Sequence, residues 1–326
     1  MQYSTPARID RAHPILTGEY AVYTPPVDEM IAKLGDWIDQ RKSGGYIYGA
    51  SRFGKSRGVK WHVRSVLQER FGSVIPLVIW KRRSDMHTSE SAFWHELLLT
   101  SHFHFERTDK IPRKNHGFYL IAQRLMAIAQ AAGHNYVVLL IDEAQEVSFR
   151  EWKWLVGLQN QLDWDGFRLS VFSVGTHQMG YQHELMAISG NAHVAARFMA
   201  AHSRFHGLRN EAEVAYVLDG YDTGSEWPAG SDVSFLQYFA PVCYAAGRRL
   251  AECAGEFWKA MVELTPNQGK RAPEFPMQHL AHSVERILDR LAKNEAWDDV
   301  MEYQSLLSIF ADTGFSSHMR IVNTAG

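Results

Sequence analysis

The chain is short of several things that would decide its class. Only two of its 326 residues are cysteine, Cys243 and Cys253, and they form no C-x-x-C pair. A disulfide framework or a zinc ribbon is therefore unsupported, and both thiols are expected to be free in a reducing compartment. Charge of one sign is also lacking, since 34 Lys and Arg against 36 Asp and Glu leave −2. No global basic field draws such a chain to nucleic acid, so any contact of that kind must come from a local patch. The longest aliphatic run, Val137 to Ile141, is far too short to cross a bilayer. Met1 to Ala12 carries Arg8, Asp10 and Arg11 and no apolar centre, unlike a secretory leader. There is no internal repeat. These absences point to a cytoplasmic protein without a membrane partner. With 46% hydrophobic residues and ten tryptophans, the chain has the composition of a globular protein.

What is present begins with Gly49-Ala50-Ser51-Arg52-Phe53-Gly54-Lys55-Ser56, which fits G-x-x-x-x-G-K-[ST]. Tyr46 to Tyr48 leads in as a strand. Ser56 to Arg70 follows as a helix, with Val59, Val63, Val66 and Leu67 on one side. Glycines let such a loop turn its N–H groups inward around phosphates. Lys55 adds a point charge for the β/γ-phosphates, and the Ser56 hydroxyl suits Mg²⁺. The pattern implies ATP with Mg²⁺ as ligands.

Tyr136 to Ile141 is a continuous apolar run, the mark of a strand covered on both faces. Asp142 and Glu143 follow at its C-terminal edge, where open α/β sheets bind ligands. Two carboxylates there are costly unless a cation needs them. Asp142 suits the Mg²⁺ shell, and Glu143 suits the base that orients an attacking water. Phe167 to Val174 reads as a further strand. At its tip Thr176, or failing it His177, is placed to touch a γ-phosphate or the water.

The rest of the chain supplies the frame. Val27 to Ile38 has helical spacing, Val74 to Trp80 reads as a strand, and Ser89–Phe105, Phe118–Ala132, Phe149–Leu162 and Asn191–Ala201 read as helices. Arg204 to Leu208 is expected as a last strand, with Asn210 and Glu213 opening a helix. Beyond Asp232 the expectation is all-helical: 235–246, 247–264, 277–291 and 295–310. The alternation predicts an α/β fold with a parallel sheet between helix layers. The expected divisions are an N-terminal extension and helix (1–40), a nucleotide-binding core (41–220), a helical lid (221–312) and a flexible tail (313–326).

The extra helical block resembles the lid of an AAA+ ATPase, and the likeness runs from about Asp36 to Leu264. Within AAA+ the chain looks most like the TnsC/TniB transposition regulators, especially the short TnsC proteins of CRISPR-associated transposons. Asp142-Glu143-Ala144-Gln145 resembles their Walker B run, and Ser173-Val174-Gly175-Thr176 their sensor-1 strand. Ala196-Arg197-Phe198, followed by Phe205-x-Gly-Leu, resembles their arginine-finger segment. Phe53 departs from the small or polar residue many members carry, at a position where only the backbone N–H is needed. The resemblance implies an ATP-hydrolysing oligomer on double-stranded DNA that connects a target-selection complex, through a TniQ-type adaptor, to the transposase. It also implies roles for Arg197 as a finger reaching a neighbouring copy's site, with Arg204 as alternative, and for Arg248 beside Gly247 as a same-subunit sensor-2 contact.

Lys81-Arg82-Arg83 and Lys110/Arg113/Lys114 are the basic clusters available to DNA phosphates, and Lys81, Arg82 and Arg113 are the candidate contacts. His95, Glu96, His102, His104 and Glu106 match no metal-site spacing. Two other readings stand beside the first: a signalling or secretion ATPase that never touches DNA, and a helicase-loader-like ATPase.

Overall fold

A strand buried at every one of its seven positions, Tyr136–Asp142 (β3), anchors the architecture. It lies in a five-stranded sheet with Gly44–Tyr48 (β1), Leu77–Lys81 (β2), Arg168–Gly175 (β4) and His202–Arg204 (β5), in the order β2-β3-β4-β1-β5. Every pairing is parallel. The computed structural model describes residues 9–83, 89–104, 112–266 and 272–325. The register brings Lys81 opposite Asp142 and Tyr48 opposite both Gly175 and Arg204. The strand ends therefore share one edge. Because β1 sits between β4 and β5, the chain leaving it crosses to the far side to begin β2. Such a reversal of strand order opens a crevice at the C-terminal edge.

The chain divides into two bodies: residues 29–49 with 55–205, and the described residues of 1–28, 50–54 and 206–326. In the sheet body, the period of two sends Val137, Leu139 and Ile141 into a core with Trp94, Leu97 and Trp152. The opposite face takes Phe172, whose ring lies 5.7 Å from that of Trp37. Trp37 comes from the helix Pro25–Asp39, and Arg70 ties that helix down through Asp36 and Asp39. The helix Phe149–Trp164 begins in a capping box, Ser148 with Glu151. Of the nearby tryptophans, Trp152 is buried in the core and Trp164 is 88% exposed.

In the helical body, Ile9 and Ile15 pack into one core with Phe239, Phe257, Leu288 and Phe310. Within the expected extension of 1–40, residues 9–28 belong to the helical body, and Met30, Leu34 and Trp37 to the sheet body. The longest stretch of the helical body starts at His206 and includes the helix Glu211–Asp222.

Several elements differ from expectation. The helix after the phosphate loop is interrupted at His62 and runs as Lys55–Trp61 and Val63–Phe71. The expected strand 204–208 is His202–Arg204, while Leu208 pairs antiparallel with Phe275. The helix expected over 235–246 breaks at Pro241, because proline disfavours the helical backbone before it. The residues expected as a flexible tail form a helix, Phe315–Ala325. Phe315 and Met319, one turn apart, are both buried in the helical core. Among the described residues no helix is long and apolar enough to cross a membrane.

Candidate nucleotide site

The loop after β1 is built from backbone that only certain residues tolerate. Gly49 donates its N–H to the carbonyl of Gly175, and a Cβ there would stand 2.4 Å from the carbonyl oxygen of Phe205. Gly54 has φ +110, a region closed to side chains, and Arg52 is left-handed at φ +65. Phe53 is 3% exposed. Its ring edge lies where a Cβ on Gly207 would be, 3.0 Å away. The unusual side chain is therefore an anchor. Gln278 donates its N–H to the Arg52 carbonyl, and Met277 lies beside Gly54.

Lys55 is the buried cation of the site. Its ammonium donates to the Gly49 carbonyl at 2.8 Å. Burial lowers its pKa to about 8, partly offset by the nearby charges of Glu143 and Asp142. The Ser56 hydroxyl lies 3.1 Å from Asp142 Oδ1 and 3.3 Å from Glu143 Oε1. Burial raises the Asp142 carboxyl above the usual range, against the hydrogen bond from Ser56. Glu143 sits at φ 57, ψ 40, in the left-handed region. For a residue with a side chain this costs about 1–2 kcal/mol. It turns the carboxylate towards Ser56 instead of letting the chain continue as strand.

The donor set fits Mg²⁺. Ser56 and Asp142 present two hard oxygens 3.1 Å apart. Adjacent ligands on an octahedral Mg²⁺, each at roughly 2.0–2.1 Å, are about 2.9 Å apart.

Thr176 lies at the tip of β4. Its backbone N–H donates to Gln145 Oε1 at 3.1 Å, and its hydroxyl accepts from the N–H of Gln178. The ring of His177 meets that of Tyr48 edge-on at 5.5 Å. Gln145 is the residue that sequence reasoning passed over: it was legible only as part of the Asp-Glu-Ala-Gln run, yet it bonds both Glu143 and Thr176.

The arginines separate. Arg197 donates to Gln159 Oε1 at 3.1 Å, and its carbonyl accepts from Ser43. Ser43 precedes β1, so Arg197 sits at the end of β1 opposite Gly49, a strand length of about 16 Å away. Arg204 ends β5 beside Tyr48, on the same edge as the loop. Arg248 pairs with Asp298 at 3.1 Å, an exposed ion pair within the helical body. In that body Met277 and Gln278 approach residues 50–54.

Of the candidate DNA contacts, Arg82 faces inward. It is 2% exposed and bonds Glu151 at 2.7 Å and Glu96 at 3.2 Å. Lys81 and Arg113 are exposed. Lys114 pairs with Glu90, and Lys110 lies outside the described residues.

The sequence matches no protein-family model and no curated protein. Solved structures do match in fold. Cdc6p from Pyrobaculum aerophilum is 14% identical, with a TM-score of 0.53 over 88% of this chain and 67% of that one. The Aeropyrum pernix ORC1 protein, solved in complex with DNA, is 10% identical, with a TM-score of 0.55 over 94% of this chain and 71% of that one. A Walker-type ATPase of Pyrococcus abyssi is 15% identical, with a TM-score of 0.54 over 91% of this chain and 74% of that one. Parallel sheet, phosphate loop at the end of its β1 and a following helical region together give this chain the AAA+ ATPase fold.

Proposed function

We propose that this chain is an ATP-hydrolysing AAA+ regulator of transposition. It would assemble with copies of itself on double-stranded DNA and link a target-selection complex, through a TniQ-type adaptor, to the transposase. The observation that carries the ATPase reading is the convergence of Lys55, Ser56, Asp142 and Glu143 at one sheet edge. The transposition reading is supported by the Asp142–Gln145, Ser173–Thr176 and Ala196–Phe198 segments. DNA association is supported by the fold shared with ORC1 and by Drosophila ORC, whose described structure is bound to DNA.

In this reading, the loop amides and Lys55 hold the β/γ-phosphates. Ser56 and Asp142 hold Mg²⁺, which supplies charge neutralisation on the phosphate oxygens. Glu143 orients the attacking water and accepts its proton. Thr176, at the β4 tip, is the candidate contact to the γ-phosphate or that water. Lys81 and Arg113 are the remaining candidates for DNA phosphates. A second reading is a helicase-loader-like ATPase. Co-purification with a replicative helicase instead of a transposase would select it.

The test is ATP-dependent retention on a non-specific duplex, for the parent and Glu143→Gln, across a salt series. The variant should keep nucleotide, lose turnover by roughly 100-fold or more and stay on DNA. Retention should fall steeply with salt as counterions are released. Salt-insensitive or absent retention would remove the DNA reading, and unchanged turnover in Glu143→Gln would move the base elsewhere.

A further inference from the structure

Gln145 stands between two groups of opposite hydrogen-bonding character. Its side-chain Nε2 donates to Glu143 Oε2 at 2.7 Å. Its Oε1 accepts the backbone N–H of Thr176 at 3.1 Å. An ionised carboxylate only accepts and a backbone N–H only donates, so the residue between them must offer one of each. The Gln145 amide does so, and the two partners fix which way round it lies. Its backbone is held as well: Gln182 Nε2 donates to the Gln145 carbonyl at 2.7 Å. The β4 tip is shaped to admit it, for a Cβ on Gly175 would come within 2.7 Å of Gln145 Oε1.

We infer that Gln145 is a positioning residue for the hydrolytic step, a clamp that holds the Glu143 carboxylate in register with the Thr176 turn. The inference rests on the assignment of Glu143 as base. Glu143 occupies a left-handed backbone position next to the short turn Ala144–Glu146. Packing alone does not hold a carboxylate's terminal torsion, which is broad. The bond from Gln145 leaves Glu143 Oε1 aimed at Ser56 and ties the base to the strand tip that borders the phosphates. A shift of that tip would be transmitted directly to the base.

The experiment measures ATP turnover, nucleotide affinity and melting temperature for the full chain and for Gln145→Ala, Gln145→Glu and Gly175→Ala. The side-chain amide resonance of Gln145 is followed by NMR without nucleotide. Gln145→Ala and Gln145→Glu should each lower kcat roughly 10- to 100-fold with the nucleotide Kd within about twofold of the parent. Glu keeps the acceptor for Thr176 but repels Glu143, so its failure to rescue isolates the bond to the base. Gly175→Ala should act the same way through steric displacement. Its effect should shrink when combined with Gln145→Ala, since the two share one contact. The Gln145 amide resonance should move in Glu143→Ala. If the parent hydrolyses ATP and the Gln145 variants match its kcat, or if the resonance is indifferent to Glu143, the clamp is wrong. A parent chain that binds nucleotide but never turns it over would instead overturn the assignment of the base on which the clamp depends.

Discussion

Lys55 is buried to 8% exposure, with its ammonium on the Gly49 carbonyl and the charges of Glu143 and Asp142 nearby. Lys55 contributes little to folding that a neutral residue would not, since burial works against its charge. Lys55→Ala is expected to leave the fold intact and weaken ATP binding by 100-fold or more, because a charge-assisted contact to the phosphates is lost. Titration with a fluorescent ATP analogue checks it, and unchanged affinity would unseat the phosphate-loop assignment. Lys55, Ser56, Asp142 and Glu143 were legible in the sequence because chain adjacency and the end of a buried strand place them with little help from elsewhere. Arg82 was not. Its neighbours in sequence, Lys81 and Arg83, are exposed, and only the approach of Glu96 and Glu151 from two helices turns it inward. Gln145 was hidden for a related reason, since its second partner arrives 31 residues later on another strand.

Among elements, the buried strands β3 and β4 and the helix Phe149–Trp164 followed the apolar pattern, whereas the helix Phe315–Ala325 did not announce itself. It is short, and what stabilises it is a docking surface that local sequence does not display. That junction has a directional set of hydrogen bonds. Thr313 Oγ1 donates to the Phe310 carbonyl and so accepts from His279 Nδ1, which leaves His279 Nε2 to accept from His318 Nδ1. In this arrangement His279 is neutral, since its Nε2 accepts. Burial lowers His279 to about 4, with His318 as a further cause, and likewise holds His318 below its ordinary value. His13, buried among Phe235, Tyr238 and Phe239, is also lowered to about 4 by desolvation. A histidine whose folded pKa is depressed destabilises the fold as pH drops from the unfolded value, about 6.5, towards 4. Asp222 opposes this. Burial raises it to about 6 against the N–H bonds from Ala251 and Leu250, so acidification relieves it. Three histidines with lowered pKa, His13, His279 and His318, set against two carboxylates with raised pKa, Asp222 and Asp142, leave a net loss of stability as pH falls from about 7.5 to about 5. The melting temperature should fall by several degrees over that interval. A flat or rising profile would refute this account of the buried imidazoles.

For the whole molecule, the placement of arginines bears on assembly. Arg197 lies at the end of β1 opposite the loop of its own chain, so the proposed finger contact would be to the nucleotide of another copy. Arg204 shares its own loop's edge. Arg197→Ala should leave ATP binding by the isolated chain near normal while lowering ATP-dependent assembly and turnover, an arginine of this kind being worth on the order of 10³–10⁵ in rate. Mixing Arg197→Ala with Lys55→Ala should restore some activity, because each supplies the half the other lacks. Sedimentation with ATP and turnover against protein concentration read this out. Loss in Arg204→Ala but not in Arg197→Ala would transfer the role, and turnover independent of concentration in every mixture would end the shared-site mechanism.

The division of the chain also sets an order of events during synthesis. Residues 29–49 and 55–205 emerge nearly in one stretch, so the sheet can close early. The helical body takes its first residues from before that stretch. The N–H of Asp10 bonds the hydroxyl of Tyr238, 228 residues further on, and Ile9 and Ile15 bury against side chains of that same region. At roughly 5–20 residues per second of translation, these isoleucines wait on the order of 10–50 s outside the ribosome before their partners exist. During that interval Ile9 and Ile15 are apolar side chains of a body not yet made.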